Sequence, residues 1–260
     1  MHPWIDAHNH LHDPRLGDVE PVLASMREVG IECSVVNATC EAEWDQVAEL
    51  ARRHPDEILP AFGVHPWKAH LAEEGWLERL ATLLESMPNA SIGEVGLDRW
   101  VESPDWEIQR GVFEAQLRLA CEMNRPVTIH CLKAWADLFE VFAECPPPPR
   151  FLMHSFGGSI EVAKRLSPLG AYFSFSGYFL QPRKAKVLDV FRQLPRERIL
   201  LETDAPDMNP PDEWVTHPLD GLNHPANHTG NRQVAVVATH GGFTLRTGCF
   251  SSISRSFYFT

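Results

Sequence analysis

Short apolar segments alternate with amphipathic segments along most of this chain, and that alternation restricts its fold more than any other feature. Eight segments rich in apolar and β-branched residues predict strands: residues 4–10, 33–38, 59–64, 91–97, 126–131, 150–155, 171–176 and 199–203. Between them, apolar residues spaced three and four apart predict helices: residues 19–29, 41–53, 76–86, 106–123, 134–143, 160–166 and 184–194. This order predicts an α/β fold with a parallel sheet, either a (β/α)8 barrel or an open doubly wound sheet.

The composition is that of one large domain or two small ones. The chain has 260 residues, 44% of them hydrophobic, which is ample for a core. No apolar run approaches the roughly 18 residues of a membrane helix, and the first residues lack the basic and apolar regions of a signal peptide. Six cysteines without a Cys-x-x-Cys pair indicate a reducing compartment. We therefore expect a soluble, cytoplasmic protein without a membrane partner.

The charge of the chain restricts its partners. A formal net charge of −12 argues against a general binder of polyanions, because non-specific affinity for nucleic acid depends on Lys and Arg. It does not exclude a nuclease whose positive charge is supplied by metal ions.

The first predicted strand ends in two histidines. In Asp6-Ala7-His8-Asn9-His10, the imidazoles stand two residues apart. Side chains two apart on a strand point to the same face, so His8 and His10 are able to hold one ion together. An isolated His-x-His pair is more often incidental, and the interpretation therefore depends on the other strands.

Three further strands end in residues that bind metals. Glu94 follows Ile92-Gly93, where a lone buried carboxylate would be costly without a cation. His130 and His154 each terminate an apolar run, in matching positions of the fifth and sixth predicted strands. The carboxyl ends of parallel strands form the active-site face of such folds, so we expect these side chains to meet there.

The eighth predicted strand supplies two carboxylates, Glu202 and Asp204. Asp204 is the better candidate for a metal ligand, and the deeper Glu202 is expected to orient a ligand from behind. Four histidines and two carboxylates are enough for two adjoining sites that share a bridging carboxylate, the usual arrangement in two-metal hydrolysis.

These residues lie in motifs that, taken together, resemble the TatD family of metal-dependent hydrolases, a branch of the amidohydrolase-like barrels. The matching motifs run in the family's order: Asp6-Ala7-His8-Asn9-His10-Leu11, Gly63-Val64-His65-Pro66, Ile92-Gly93-Glu94-Val95-Gly96-Leu97-Asp98, Ile129-His130-Cys131, His154-Ser155-Phe156-Gly157-Gly158, Glu202-Thr203-Asp204-Ala205-Pro206 and Leu222-Asn223-His224-Pro225-Ala226-Asn227. The resemblance implies a (β/α)8 TIM barrel. It also implies a two-metal site, with ligands divided as follows: His8, His10 and Asp204 on one ion, His130 and His154 on the other, and Glu94 between them.

The resemblance further implies a deoxyribonuclease that cleaves phosphodiester bonds of single-stranded or frayed DNA, commonly in the 3′ to 5′ direction. We expect the ions to convert water into hydroxide, with Glu94 and Asp204 as catalytic residues and Asp204 as the proton acceptor. Histidine ligands suit Zn²⁺, and the carboxylates also admit Mg²⁺ or Mn²⁺. An alternative hypothesis is a two-metal amidohydrolase acting on a small amide, ester or lactone, since the same hydroxide attacks a carbonyl carbon.

Substrate contacts are less constrained by the sequence. The candidates are His65, Lys133, Trp135 and Phe156, with Trp67 and Trp214 as further aromatic candidates for stacking. Many TatD relatives have Arg two residues after the fifth-strand histidine, but Leu132 stands there in this chain. A phosphate contact of the family is therefore missing at that position, with Lys133 next to it.

The last part of the chain departs from the pattern. Residues 221–260 contain no Asp or Glu, and residues 239–260 are rich in Gly, Ser, Thr and Phe instead of carrying an amphipathic helix. We therefore predict a barrel over residues 1–227 and a divergent tail over residues 228–260. We expect a monomer, because no motif indicates a protein partner.

Overall fold

The computed structural model describes residues 4–100 and 105–227. Within these ranges, the eight predicted strands are present: β1 (Trp4–Asn9), β2 (Ile31–Asn37), β3 (Ile58–Phe62), β4 (Ser91–Asp98), β5 (Val127–Leu132), β6 (Phe151–Met153), β7 (Ala171–Ser176) and β8 (Ile199–Glu202). Seven α-helices alternate with them: α1 (Val19–Glu28), α2 (Glu41–Arg53), α3 (Trp76–Ser86), α4 (Trp106–Glu122), α5 (Trp135–Glu144), α6 (Ile160–Leu166) and α7 (Ala185–Phe191). The predicted order of elements is confirmed.

The strands form one parallel sheet in sequential order from β1 to β8. An open doubly wound sheet would reverse its strand order at a switch point, and this sheet does not. Its two ends are joined, because Asp204 N–H donates to His8 O at 3.0 Å and His10 N–H donates to Ala205 O at 2.8 Å. The sheet is therefore a (β/α)8 barrel, which confirms the predicted fold class.

Apolar side chains fill both the layer between strands and helices and the inside of the barrel. The larger layer includes Phe113 of α4 and Phe151 of β6, both almost fully buried. Ala7, Leu152 and Leu200 form a separate buried cluster. Because β1 and β6 are not neighbours in the sheet, Ala7 and Leu152 meet across the barrel interior, and this core supports the strand ends from below.

A short two-stranded sheet, β9 (Pro218–Leu219) and β10 (Leu222–Asn223), follows β8. Asn223 fixes this segment to the barrel, because its side-chain N–H donates to Thr203 O at 2.8 Å. The predicted tail, residues 228–260, lies outside the described residues. Among the described helices, none has the length and apolar character that crossing a membrane requires.

Candidate metal centre

The six predicted metal ligands come together at the C-terminal ends of five strands. His8 lies in β1 and His10 one residue beyond it, Glu94 lies in β4, His130 in β5, and His154 and Asp204 just after β6 and β8. In a parallel barrel these ends share one face, so the separation of the residues along the chain does not separate them in space.

One oxygen of Glu94 faces the histidines of β1. His8 Nε2 lies 3.4 Å and His10 Nε2 lies 3.6 Å from Glu94 Oε2. The same two nitrogens lie 3.4 and 3.5 Å from Asp204 Oδ1. The ligand atoms of His8, His10 and Asp204 are thus close enough to surround a single cation.

The other oxygen of Glu94 faces a second group of histidines. Glu94 Oε1 lies 2.8 Å from His154 Nε2, 3.2 Å from His130 Nδ1 and 3.2 Å from His65 Nε2. Glu94 is only 4% exposed and stands between the two groups, with one oxygen directed at each. This is the geometry expected of a bridging carboxylate.

The outer nitrogens of two histidines are bonded to the surrounding protein. His10 Nδ1 lies 2.7 Å from Asn37 O, and His130 Nε2 lies 2.9 Å from Asp98 Oδ2. Each outer N–H donates a hydrogen bond to these acceptors, so the inner nitrogen faces the centre and is the one that would bind a metal. These outer bonds fix the tautomer and the ring orientation that metal binding requires.

His8 gives the strongest structural sign of an ion. Its ring is completely buried, and neither nitrogen has a hydrogen-bond partner of good geometry among the described residues. A buried nitrogen without a partner costs free energy, and a metal bound at Nε2 would remove that cost. The donor set of the centre therefore fits divalent cations.

The electrostatics of the centre also favour cations. Burial would raise the pKa of Glu94, but His154 and His65 outweigh it and hold that pKa well below its usual value. At Asp204 burial is likewise outweighed by the nearby imidazoles of His10 and His8, which lie within 3.5 Å of Oδ1 and lower its pKa. Both carboxylates are therefore ionised at neutral pH.

The charge of these carboxylates acts on the histidines in turn. Burial would lower the pKa of His130, but Asp98 and Glu94 raise it to about 9. Burial of His8 is similarly outweighed by Asp204 and Glu94, which raise its pKa. An ion that enters the centre would displace protons from these rings, so metal binding is linked to pH.

His65 enters the centre in a different state. The backbone N–H of Trp67 donates to His65 Nδ1 at 3.1 Å, so the proton of the neutral ring lies on Nε2. Burial lowers the pKa of His65 to about 4, which keeps the ring neutral. His65 Nε2 is therefore a donor directed at Glu94 Oε1, and in this tautomer it has no lone pair for a metal.

Asp98 is a residue of the site to which the sequence assigned no role. Its Oδ2 accepts hydrogen bonds from His130 Nε2 at 2.9 Å and from Trp67 Nε1 at 2.7 Å, and its Oδ1 accepts one from Trp100 N at 2.6 Å. Burial alone would raise the pKa of Asp98, but these donors lower it to about 2. Asp98 and Glu94 stand four residues apart in β4, on one face of the strand, and this spacing is the signal that would have found Asp98.

Glu202 lies at the end of β8 and is completely buried. Its Oε1 accepts hydrogen bonds from Ser155 N at 2.7 Å and from Ser155 Oγ at 2.5 Å. His154 Nδ1 lies 3.9 Å from the same oxygen, beyond hydrogen-bond distance. Glu202 thus fixes the backbone immediately after His154 instead of bonding to the ring.

Three other predicted substrate contacts, Phe156, Trp135 and Lys133, are not part of the cluster. Phe156 is 1% exposed and its ring lies 4.7 Å from that of Phe173, so it packs in the core and is not available to stack a base. Trp135 is half-buried and packs edge-to-face on Phe156 at 5.5 Å. Lys133 is exposed, with its Nζ 3.8 Å from the centre of the Trp100 ring.

Comparison with known proteins agrees with this geometry. The family model described as TatD related DNase matches residues 5–242. The uncharacterised metal-dependent hydrolase YjjV of Escherichia coli K12 is 33% identical over 208 residues, covering 79% of this chain and 80% of the relative. The 3′-5′ ssDNA/RNA exonuclease TatD of Edwardsiella piscicida is 33% identical over 198 residues, covering 75% and 76%.

The fold agrees as well. The crystal structure of YjjV superimposes with a TM-score of 0.83 and 27% identity, over 98% of this chain and 94% of that one. Motifs, fold and the arrangement of the strand-end residues thus lead to one assignment. The chain belongs to the TatD family of metal-dependent hydrolases.

Proposed function

We propose that the protein is a two-metal deoxyribonuclease that removes nucleotides from the 3′ end of single-stranded DNA. The observation that carries this proposal is the division of ligand atoms about Glu94, whose two oxygens face two separate groups of histidines. Relatives named 3′-5′ ssDNA/RNA exonucleases share a third of their residues with this chain over three quarters of its length.

The proposal assigns His8, His10 and Asp204 to one ion, His130 and His154 to the other, and Glu94 to both. The first three residues form one possible metal cluster, and Glu94 Oε1 lies near both His130 and His154. When bound, such a pair of divalent ions supplies an acidified water and positive charge for the phosphoryl oxygens. The mixture of imidazole and carboxylate donors suits Zn²⁺ and also admits Mn²⁺ or Mg²⁺.

Asp204 is the proposed proton acceptor. Its carboxylate is ionised because its pKa is lowered, and its side chain keeps 13% exposure, so it meets the water that attacks the substrate. The backbone holds it in place, since Asp204 N–H donates to His8 O at 3.0 Å. Asp204 accepts the proton of the attacking water and returns it to the leaving oxygen.

His65 is proposed to bind the substrate as a neutral donor. Its Nε2 lies 3.2 Å from Glu94 Oε1, so this donor borders the place where the ions would hold the phosphate. With a pKa of about 4 the ring is neutral at neutral pH, so it would meet the substrate as an uncharged donor.

The test uses protein stripped of metal with a chelator. Zn²⁺, Mn²⁺ or Mg²⁺ is added back singly, and a 5′-labelled single-stranded oligonucleotide is followed for a ladder shortened from its 3′ end. A parallel panel of lactones, esters and amides tests the alternative hypothesis. Hydrolysis confined to that panel would refute the nuclease proposal and favour the amidohydrolase.

A pair of substitutions tests the role of Asp204. Asp204→Asn should lower kcat by at least about a hundredfold, because the amide accepts no proton at neutral pH. Asp207→Asn is the matched control, because this exposed carboxylate binds Arg15 and not the centre. Turnover of Asp204→Asn equal to that of the control would remove Asp204 from the mechanism.

A further inference from the structure

The indole of Trp67 lies at the edge of the metal centre with its ring half open to solvent. Its ring stands perpendicular to that of His65, with ring centres 5.0 Å apart, and lies 6.2 Å from the ring of His130. The residue is 48% exposed, although Trp is usually well buried. An apolar surface thus borders the residues assigned to the second ion.

The orientation of this ring is fixed before any ligand arrives. Trp67 Nε1–H donates to Asp98 Oδ2 at 2.7 Å, and Asp98 is 2% exposed. The only polar group of the indole therefore points into the protein, and the exposed part is the flat apolar ring. A ring held in this way loses little conformational entropy when a ligand stacks on it.

A second exposed indole belongs to Trp100, whose backbone is bonded to the same carboxylate. Trp100 is 62% exposed, and its backbone N–H donates to Asp98 Oδ1 at 2.6 Å. Lys133 Nζ lies 3.8 Å from the centre of the Trp100 ring. At the C-terminal end of β4, two exposed aromatic rings and one ammonium group thus lie beside the metal centre.

Two guanidinium groups in the segments that follow β1 and β4 are already paired. Arg99 binds Asp137 at 2.5 Å, and Arg15 binds both Asp13 and Asp207. In a chain with a net charge of −12, salt bridges of this kind leave less positive charge for phosphates. A nucleic acid then needs another source of affinity beside the ions, and stacking of bases on aromatic rings supplies one.

We propose that Trp67 is a stacking platform for the nucleobase next to the phosphodiester bond held in the metal centre. This inference rests on the proposed nuclease function. A ligand that places an anionic group at the ions and a flat apolar ring on Trp67 is a nucleotide, and a simple lactone or ester has no such ring. Because a base inside a duplex has both faces covered, the platform selects unpaired, unstacked ends.

The first test separates substrate binding from chemistry. Trp67→Ala should raise KM for a single-stranded oligonucleotide by about 5- to 100-fold and leave kcat within about threefold. Trp67→Phe keeps an aromatic ring and loses the bond to Asp98, so its KM should stay close to that of the wild type. Leu71→Ala is the control, because Leu71 is 52% exposed at the end of the same short helix, Pro66–Leu71.

The second test removes the base instead of the indole. Oligonucleotides with a single abasic residue at each of the last few positions are compared with the intact strand. At one position, the abasic residue should raise the KM of the wild type by about the same factor as Trp67→Ala does with the intact strand. With that abasic strand, Trp67→Ala should raise KM by less than about a further twofold.

The outcomes distinguish the inference from the proposed function. Suppose that the wild type cleaves oligonucleotides, and that Trp67→Ala raises KM by the same factor for intact and abasic strands at every position. The inference that Trp67 stacks on a base would then be wrong. If Trp67→Phe is as defective as Trp67→Ala, the bond to Asp98 matters and stacking does not. If the wild type cleaves no oligonucleotide, the proposed function fails, and this inference fails with it.

Discussion

Replacing Asp98 by Asn tests the idea that a carboxylate outside the ligand set controls the second ion. Asp98 Oδ2 accepts hydrogen bonds from both His130 Nε2 and Trp67 Nε1, and Oδ1 accepts one from Trp100 N. Asn has one acceptor oxygen and one NH₂ group of nearly the same shape. Whichever way it is turned, its NH₂ faces at least one of these donors.

The consequence falls on the tautomer of His130. If the NH₂ replaces Oδ2, His130 avoids a clash of two donors by accepting at Nε2, and its proton moves to Nδ1. Nδ1 is the nitrogen directed at Glu94 Oε1, 3.2 Å away, and it then has no lone pair for an ion. If the amide turns the other way, its NH₂ faces the backbone N–H of Trp100 instead.

The magnitude follows from what such outer partners contribute to metal sites. Loss of one typically weakens metal binding by about 10- to 100-fold. We therefore expect Asp98→Asn to weaken the ion assigned to His130 and His154 by that factor. The ion assigned to His8 and His10 should change by less than about threefold, because their contacts with Asn37, Glu94 and Asp204 do not involve Asp98.

The assay is titration calorimetry of metal-free protein, supported by the visible spectrum of the Co²⁺-loaded form. Trp67→Phe is the control, because it removes one donor from Asp98 and leaves the bond from His130 in place. Two ions bound to Asp98→Asn with wild-type affinities and an unchanged Co²⁺ spectrum would refute the reasoning. Loss of both ions would show that Asp98 supports the fold and not one site.

Three further predictions concern backbone geometry, pH and metal removal. Gly96→Ala should destabilise the fold by at least about 3 kcal/mol in urea unfolding, since Gly96 has φ +142° and a Cβ there would lie 1.9 Å from His130 O. Gly111→Ala, in the open on helix α4, should instead stabilise it by about 0.5–1 kcal/mol, and equal effects of the two changes would contradict both arguments. Burial alone would raise the pKa of Glu43, but hydrogen bonds from His12 and Thr39 outweigh it and lower the pKa from 4.5 to about 2. The side chain is 28% exposed, and after allowance for that exposure Glu43→Gln should lower the free energy of unfolding by about 1–2 kcal/mol at pH 7. Since a lowered pKa stabilises the fold above its unfolded value, this difference should shrink as the pH falls from about 4.5 towards 2, and a difference independent of pH would be inconsistent with the assignment. Chelation should abolish hydrolysis and lower the midpoint of unfolding. Ions added back at about 1,000 times their Kd should raise the free energy of unfolding by about 4 kcal/mol. An unchanged midpoint would argue against metal binding to the native state.

The sequence predicted the strands and helices well because each element carries its own periodic pattern. Residues 41–53, 76–86 and 160–166 were predicted as helices and coincide with α2, α3 and α6. The seventh helix, α7, is shorter than its pattern mainly at its C-terminal end, where the helix stops at Phe191 and Gln193 N–H donates to Val190 O at 2.9 Å in a turn. Helix ends depend on such local bonds, which periodicity does not encode.

The sequence also identified the residues that gather at the centre, because strand-end residues of a parallel barrel share one face. It did not distinguish the role of His65 from that of a structural histidine. That difference depends on Trp67 N–H, which fixes the tautomer, and on burial, which lowers the pKa. Both are properties of the folded chain. The role of Phe156 was equally hidden, since a motif does not reveal whether a ring faces the mouth or the core.

The centre also explains how so acidic a chain would be able to act on a polyanion, as the proposed function requires. Glu94 and Asp204 add negative charge at the place where a phosphate would bind, which is unfavourable unless cations lie between them. Once an ion replaces the inner protons of the surrounding histidines, their nitrogens would offer lone pairs to the ion and the rings would carry no positive charge of their own. Affinity for substrate would then depend on occupancy of the two sites and on the exposed indole beside them more than on the net charge of the surface. The acidity of the chain and the proposed nuclease activity are therefore compatible.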